Sequence, residues 1–245
     1  NIYPTKKEYE ILLDTYPPVS ANKFLPEWYK QRKPNYVNLD DSYVNPLVHK
    51  HAKQCPAIQD YLVDGVVIPA WSDMQIVANQ NGVVEWNISI GHGASVNDKF
   101  LDNQEQRQLS GMGLWDIENV GVLKLNTPYM FHTPKGYGTH FYDPFYHHRN
   151  NIRLLPGRVE TDLWHEVNFP FEFDNTDVPI ESKLISVKAG EPLVVASVYK
   201  KSDKTKLNVH KYSEEKKYLY DNKNTVSHTL SGNWHRTKKI LDEEE

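Results

Sequence analysis

Eleven histidines, six of them between His92 and His165, are the residues in this chain best suited to chemistry. Two imidazoles and one carboxylate converging from neighbouring barrel strands make the iron site of a mononuclear oxygenase. Strand alternation puts residues i and i+2 on one face, so such a site favours His-x-Asp or His-x-Glu. The nearest arrangement is His140-Phe141-Tyr142-Asp143, one residue longer. His165, within an apolar stripe, is the distal candidate. His140, Asp143 and His165 are therefore the candidate metal ligands. In that alternative Fe(II) is the metal, and Arg153 or Arg158 holds an acidic cosubstrate such as 2-oxoglutarate. Outside it, no cofactor is expected. His147 and His148 are adjacent and would face opposite sides of a strand.

Other chemistries have weaker supports. Cys55, the single cysteine, stands at an expected helix start, where a thiol pKa can be depressed. A single cysteine more often packs as a small hydrophobe. No G-x-S-x-G elbow, P-loop or G-x-G-x-x-G follows a strand. Gly91-His92-Gly93 and Gly111-Met112-Gly113 read as turns or bulges. Glu160 and Asp162 share one face of an alternating segment, with Glu166 further along. Lining a cleft, such a pair would act as acid and base. On a solvated face they are only the polar side of the strand.

The densest feature is Tyr129 to His148, with seven aromatics and four histidines in a span that Pro and Gly keep from being helical. Tyr129, Phe131, Tyr137, Phe141, Tyr142, Phe145 and Tyr146 suit a ligand-lining surface or a protein interface. The same residues would also serve a loop that covers one end of a sandwich with its own side chains.

The elements that must position these residues are mostly strands. The chain has 245 residues, with 15 Tyr, 6 Trp and 15 Pro, a mixture that favours strands and structured loops. Odd positions Leu123, Leu125, Tyr129 and Phe131 align on one face, as do Val159, Thr161, Leu163, His165, Val167, Phe169, Phe171 and Phe173. Val84, Trp86, Ile88 and Ile90 form a third stripe. Further strands are expected over 183–188 and 193–199, joined by Ala189-Gly190-Glu191-Pro192. Thr5-Lys6-Lys7-Glu8 has capping-box spacing ahead of a short helix stopped by Pro17-Pro18. Phe24 to Tyr29 reads as an aromatic anchor on an extended arm. A second helix starts at Pro56 and closes at Gly65.

The expected fold is mainly β: a jelly-roll-like antiparallel β-sandwich with N-terminal helical and extended arms and a C-terminal helix. Residues 1–65 form the arm, 66–200 the sandwich core, and 201–245 a charged helical tail with Ser213 as N-cap. A net charge of −4 with scattered signs argues against a nucleic-acid binder. No apolar run is long enough to span a membrane, and the N-terminal residues show no signal-peptide pattern.

Three segments carry a resemblance. PYMFHTPKGY (128–137), GRVETDLW (157–164) and AGEP (189–192) resemble a family of unknown function found in T4-like marine phages, including cyanophages, and as free-standing bacterial proteins. KQCPAIQDYLVDGVVIPAW (53–71) is similar to the phage branch. The resemblance spans roughly 50 to 200. It implies no activity, and it implies that the bacterial counterparts of 138–150 are not histidine-rich. The function expected from all this is non-enzymatic binding or virion association through the aromatic-rich loop, in host cytoplasm or on the particle. A protein partner or homo-oligomer is expected, with a small molecule or sugar as the other candidate ligand.

Overall fold

A computed structural model of the chain describes residues 1–31, 53, 55–79, 82–88, 100–103, 120–147, 152–174, 183–202, 209, 211–214 and 217. The fold is mainly β, in antiparallel sheets, as the alternating stripes require. The chain divides into two compact units, one of residues 1–26 and 64–203, the other of 27–63 and 204–245. This differs from the expected cut at 65, because the first residues are part of the β unit rather than an arm.

The strands among the described residues belong to the first unit. Sheet A runs β1 (Ile2–Pro4), β7 (Val120–Phe131), β11 (Glu166–Asp174), β9 (Arg153–Leu154), with β6 (Leu101–Asn103) also paired to β7. Sheet B runs β10 (Gly157–Val159), β8 (Tyr137–Tyr142), β13 (Pro192–Lys200), β3 (Val66–Pro69), β2 (Val19–Ser20). Sheet C runs β12 (Lys183–Val187), β4 (Met74–Asn79), β5 (Gly82–Ile88). The inner faces share one jelly-roll-like sandwich core. Leu123, Leu125, Tyr129 and Phe131 of β7 are buried with Val167, Phe169 and Phe171 of β11 and Phe141 of β8. Trp71 stands edge-on to Tyr129, centroids 5.9 Å apart. Trp71 Nε1 and Tyr129 Oη are buried with no hydrogen-bond partner among the described residues, and burial pushes the Tyr129 phenol pKa up.

The capping box does not form. Thr5 Oγ1 instead donates to Pro128 O at 3.1 Å, fastening the N-terminal residues to β7. A 3₁₀ turn at Lys7–Tyr9 then leads into α1 (Glu10–Thr15), with no side-chain cap on either. The extended arm expected over 24–29 is absent too: a 3₁₀ turn spans Ala21–Lys23, and Glu27–Gln31 is α2. α3 (Pro56–Val63) starts and stops as its Pro and Gly dictate, with Gly65 at φ +75°. Cys55 is exposed just before it rather than packed, and its carbonyl accepts from the N–H groups of Ile58 and Gln59.

The long stripe over 159–173 is two strands, not one. β10 ends at Val159, and the chain turns over 161–163 before β11 begins at Glu166. Pro170 is tolerated because β9 pairs only with Phe171 and Glu172 on that edge. In the tail, Lys217 N donates to Ser213 O, one helical turn at the expected place. The rest of the C-terminal helix, both Gly-x-Gly segments, and the side chains of the stripe from Val84 to Ile90 lie outside the described residues.

Candidate functional site

Alternation along β8 sorts the aromatic segment. Phe141 points into the core, where its ring lies 5.1 Å from Phe131 and 5.3 Å from Phe169. Tyr129, Phe131 and Phe141 are thus core residues, and none has surface to offer a ligand. Gly138, His140 and Tyr142 occupy the opposite, outer face of sheet B. Sequence reasoning pooled all seven rings as one contact segment, whereas Tyr129 and Phe131 end one strand and Tyr137 to Tyr142 form the next, so alternation divides them.

On that outer face the strand register builds a row. His140 faces Arg158 of β10 on one side and Ser197 of β13 on the other. Gly138 faces Tyr199, whose ring lies over the glycine: a Cβ there would sit 2.7 Å from both Cζ and the hydroxyl oxygen of the tyrosine. The Arg158 guanidinium is 5.0 Å from the Tyr199 ring centroid, a cation–π distance. His140 and Tyr142 have centroids 5.0 Å apart, and Tyr142 Oη donates to Asp64 at 3.4 Å, a long bond. Burial lowers the His140 pKa, the Arg158 charge lowers it further, and the Asp64 carboxylate opposes both. The imidazole is therefore predominantly neutral at neutral pH.

The row continues past Tyr142. Phe24 and Tyr142 pack on Ala21, Val67 and Val195, and the Phe24 ring lies 5.9 Å from His147. Phe145 follows, 67% exposed and edge-on to Tyr146 at 5.4 Å. Tyr137, at the start of β8, is also exposed.

A second assembly joins two of the motif segments. Thr133, Thr139 and Thr161 are buried, with Thr161 Oγ1 2.9 Å from Thr133 Oγ1 and 2.7 Å from Thr139 Oγ1. Thr133 Oγ1 lies 2.9 Å from Tyr137 O, which can only accept. The protons must then run one way: Thr139 donates to Thr161, Thr161 to Thr133, and Thr133 to the carbonyl. Beside this relay Asp162 Oδ2 accepts from Gly136 N–H at 2.9 Å, and Lys201 Nζ donates to Glu160 and Asp162 at 2.8 and 3.1 Å. The Gly136 amide, then Lys201, holds the Asp162 carboxyl below its ordinary value. Its hydrogen bonds to Glu160, then Asp162, push Lys201 up. Glu160 and Asp162 are therefore bound to one ammonium at a turn and do not form a strand-borne acid–base pair. The period-2 reading put Thr161 on an apolar strand stripe, whereas it is a buried turn residue whose hydroxyl joins two others.

The three candidate metal ligands have other occupations. His140 is in the outer row. Asp143 Oδ1 accepts from Leu154 N–H at 2.9 Å. His165 Nδ1 is 3.1 Å from the carbonyl oxygens of both Phe131 and Thr161, so it carries the proton and donates to them. His132 stacks near it at 5.1 Å. Among the described residues no three His, Cys, Asp or Glu are grouped to hold a metal ion. Arg153 is exposed on β9, away from Arg158 in a different sheet.

Among the described residues no helix is long and apolar enough to cross a membrane. No family model matches the chain, and no curated protein matches it. Solved structures that the chain matches include phage dUTPases. A mutant dUTPase of Staphylococcus bacteriophage 80alpha has 10% identity and a TM-score of 0.32, over 62% of this chain and 86% of that one. The dUTPase from phage phi11 of S. aureus has 9% identity and a TM-score of 0.31, over 62% and 85%. Similarity at this level carries no functional argument.

Proposed function

We propose that this chain is a non-enzymatic binding protein, phage-encoded and virion-associated, whose contact surface is the aromatic row of sheet B and the ledge at its end. The observation that carries this reading is Phe145, two-thirds exposed, ordered against Tyr146 where the outer-face row ends. Exposing an aromatic of that size forfeits burial worth about 1.5–3 kcal/mol, a cost that a partner's surface offsets. The motif resemblance supports the phage setting. The row also favours binding over chemistry, since Asp143, His165, Glu160 and Asp162 are all committed to internal contacts.

A double variant, Tyr142→Ala with Tyr146→Ala, tests this. The readouts are self-association by analytical ultracentrifugation and co-sedimentation with T4-like marine phage particles. Loss of either association well beyond any fall in the unfolding midpoint is the expected result. Equal loss of association and stability would make the segment a covering loop. A wild-type protein that neither self-associates at millimolar concentration nor co-sediments would sink the reading.

A further inference from the structure

The outer row of sheet B has a chemical polarity that an aromatic contact surface does not need. One end is the Arg158 guanidinium, held over Tyr199. Among the described residues it is ion-paired with no carboxylate. The other end is the Asp64 carboxylate, which accepts from the Tyr142 hydroxyl at 3.4 Å. Between them stand His140 and Ser197, neighbours by register, with the Tyr142 ring 5.0 Å from the imidazole.

We propose that this face binds an acidic carbohydrate, with Arg158 receiving the sugar carboxylate. The proposal rests on the reading of the chain as a binding protein and names the ligand class of that surface. A planar guanidinium matches a carboxylate in two parallel N–H···O bonds, and Tyr199 holds the fork so that little freedom is lost on binding. The neutral imidazole and the Ser197 hydroxyl each donate and accept, which suits sugar hydroxyls. Asp64 accepts only, and takes hydroxyl protons at the far end. The Tyr142 ring gives the apolar side of a pyranose ring somewhere to lie. A simple anion would use one end of this row. Filling all of it takes a ligand with a carboxylate at one end and hydroxyls at the other.

The test is isothermal titration calorimetry with an oligogalacturonate, its methyl ester, and inorganic phosphate as competitor. The acid is expected to bind about tenfold tighter than the ester, the weight of one charge-assisted contact. Arg158→Gln should erase that difference and leave the unfolding midpoint unchanged, because the side chain is exposed. Arg158→Lys should restore little of it. Equal binding of acid and ester, a preference that survives Arg158→Gln, or phosphate competing as well as the acid overturns the proposal while the binding reading stands. Binding of neither sugar also overturns it, and leaves the aromatic ledge to its own association test.

Discussion

Replacing Thr161 with valine should be among the most damaging small changes in this protein, and a second substitution should partly repair it. Thr161 is fully buried and holds the middle of the relay from Thr139 to Tyr137 O. Each hydrogen bond contributes about 1 kcal/mol net, and a buried donor left without an acceptor costs about 1–3 kcal/mol. Thr161→Val removes two bonds and orphans the Thr139 donor, for a loss of about 3–4 kcal/mol. Thr139→Val removes one bond and leaves only a spare lone pair on Thr161, so it should cost about 1 kcal/mol. The double variant lacks both bonds but has no orphan, which sets its cost at about 2 kcal/mol. It should therefore be more stable than Thr161→Val alone. Urea unfolding midpoints at unchanged m-value would measure this. Strict additivity of the two costs, or Thr139→Val matching Thr161→Val, would refute the one-way proton order.

Two further outcomes follow from neighbouring contacts. Gly138→Ala should cost about 1–3 kcal/mol by overpacking, because its Cβ would meet the Tyr199 ring at 2.7 Å and the Val159 carbonyl at 2.8 Å. Gly157→Ala, with nothing within 4 Å, should change stability by less than about 0.5 kcal/mol; thermal unfolding of both, with equal losses, would show the ring does not lie there. Asp162 has a folded pKa below its ordinary 3.8, so its contribution is present above that value and is lost as pH falls through the depressed one. The unfolding midpoints of wild type and Asp162→Asn should therefore differ at neutral pH and converge in acid below about pH 4. A gap that stays constant into strong acid would remove the clasp from the pH dependence.

Much of the β framework was legible, for a simple reason. Leu123, Leu125, Tyr129 and Phe131 alternate because one face of β7 meets the core, and Val167, Phe169 and Phe171 alternate for the same reason on its partner β11. The same rule misled between Val159 and His165. The apolar rhythm happens to continue through the turn at 161–163, while Leu163 and Trp164 stand exposed. Glu160 and Asp162, read as a polar strand face, are turn residues fixed by a lysine some forty positions later. Thr5 was misassigned similarly: local spacing proposed a helix cap, and a long-range acceptor at Pro128 won. The outer row was half legible. His140 and Tyr142 drew attention as ring-bearing residues, but Arg158, Tyr199 and Asp64 join them only through register, which no local pattern encodes.

The pairing of β1 with β7 has a consequence for how the chain comes into being. Ile2, Tyr3 and Pro4 face Phe131, Met130 and Tyr129, so the first strand has no partner until residue 131 has left the ribosome. At about 5–20 residues per second, the wait is on the order of ten seconds. During it β1 is a short unpaired segment in every nascent copy. On crowded polysomes a waiting β1 can meet the β7 of a more advanced copy before its own β7 has been made. High expression should thus yield strand-exchanged dimers, and slower translation, which lengthens the wait, should increase them.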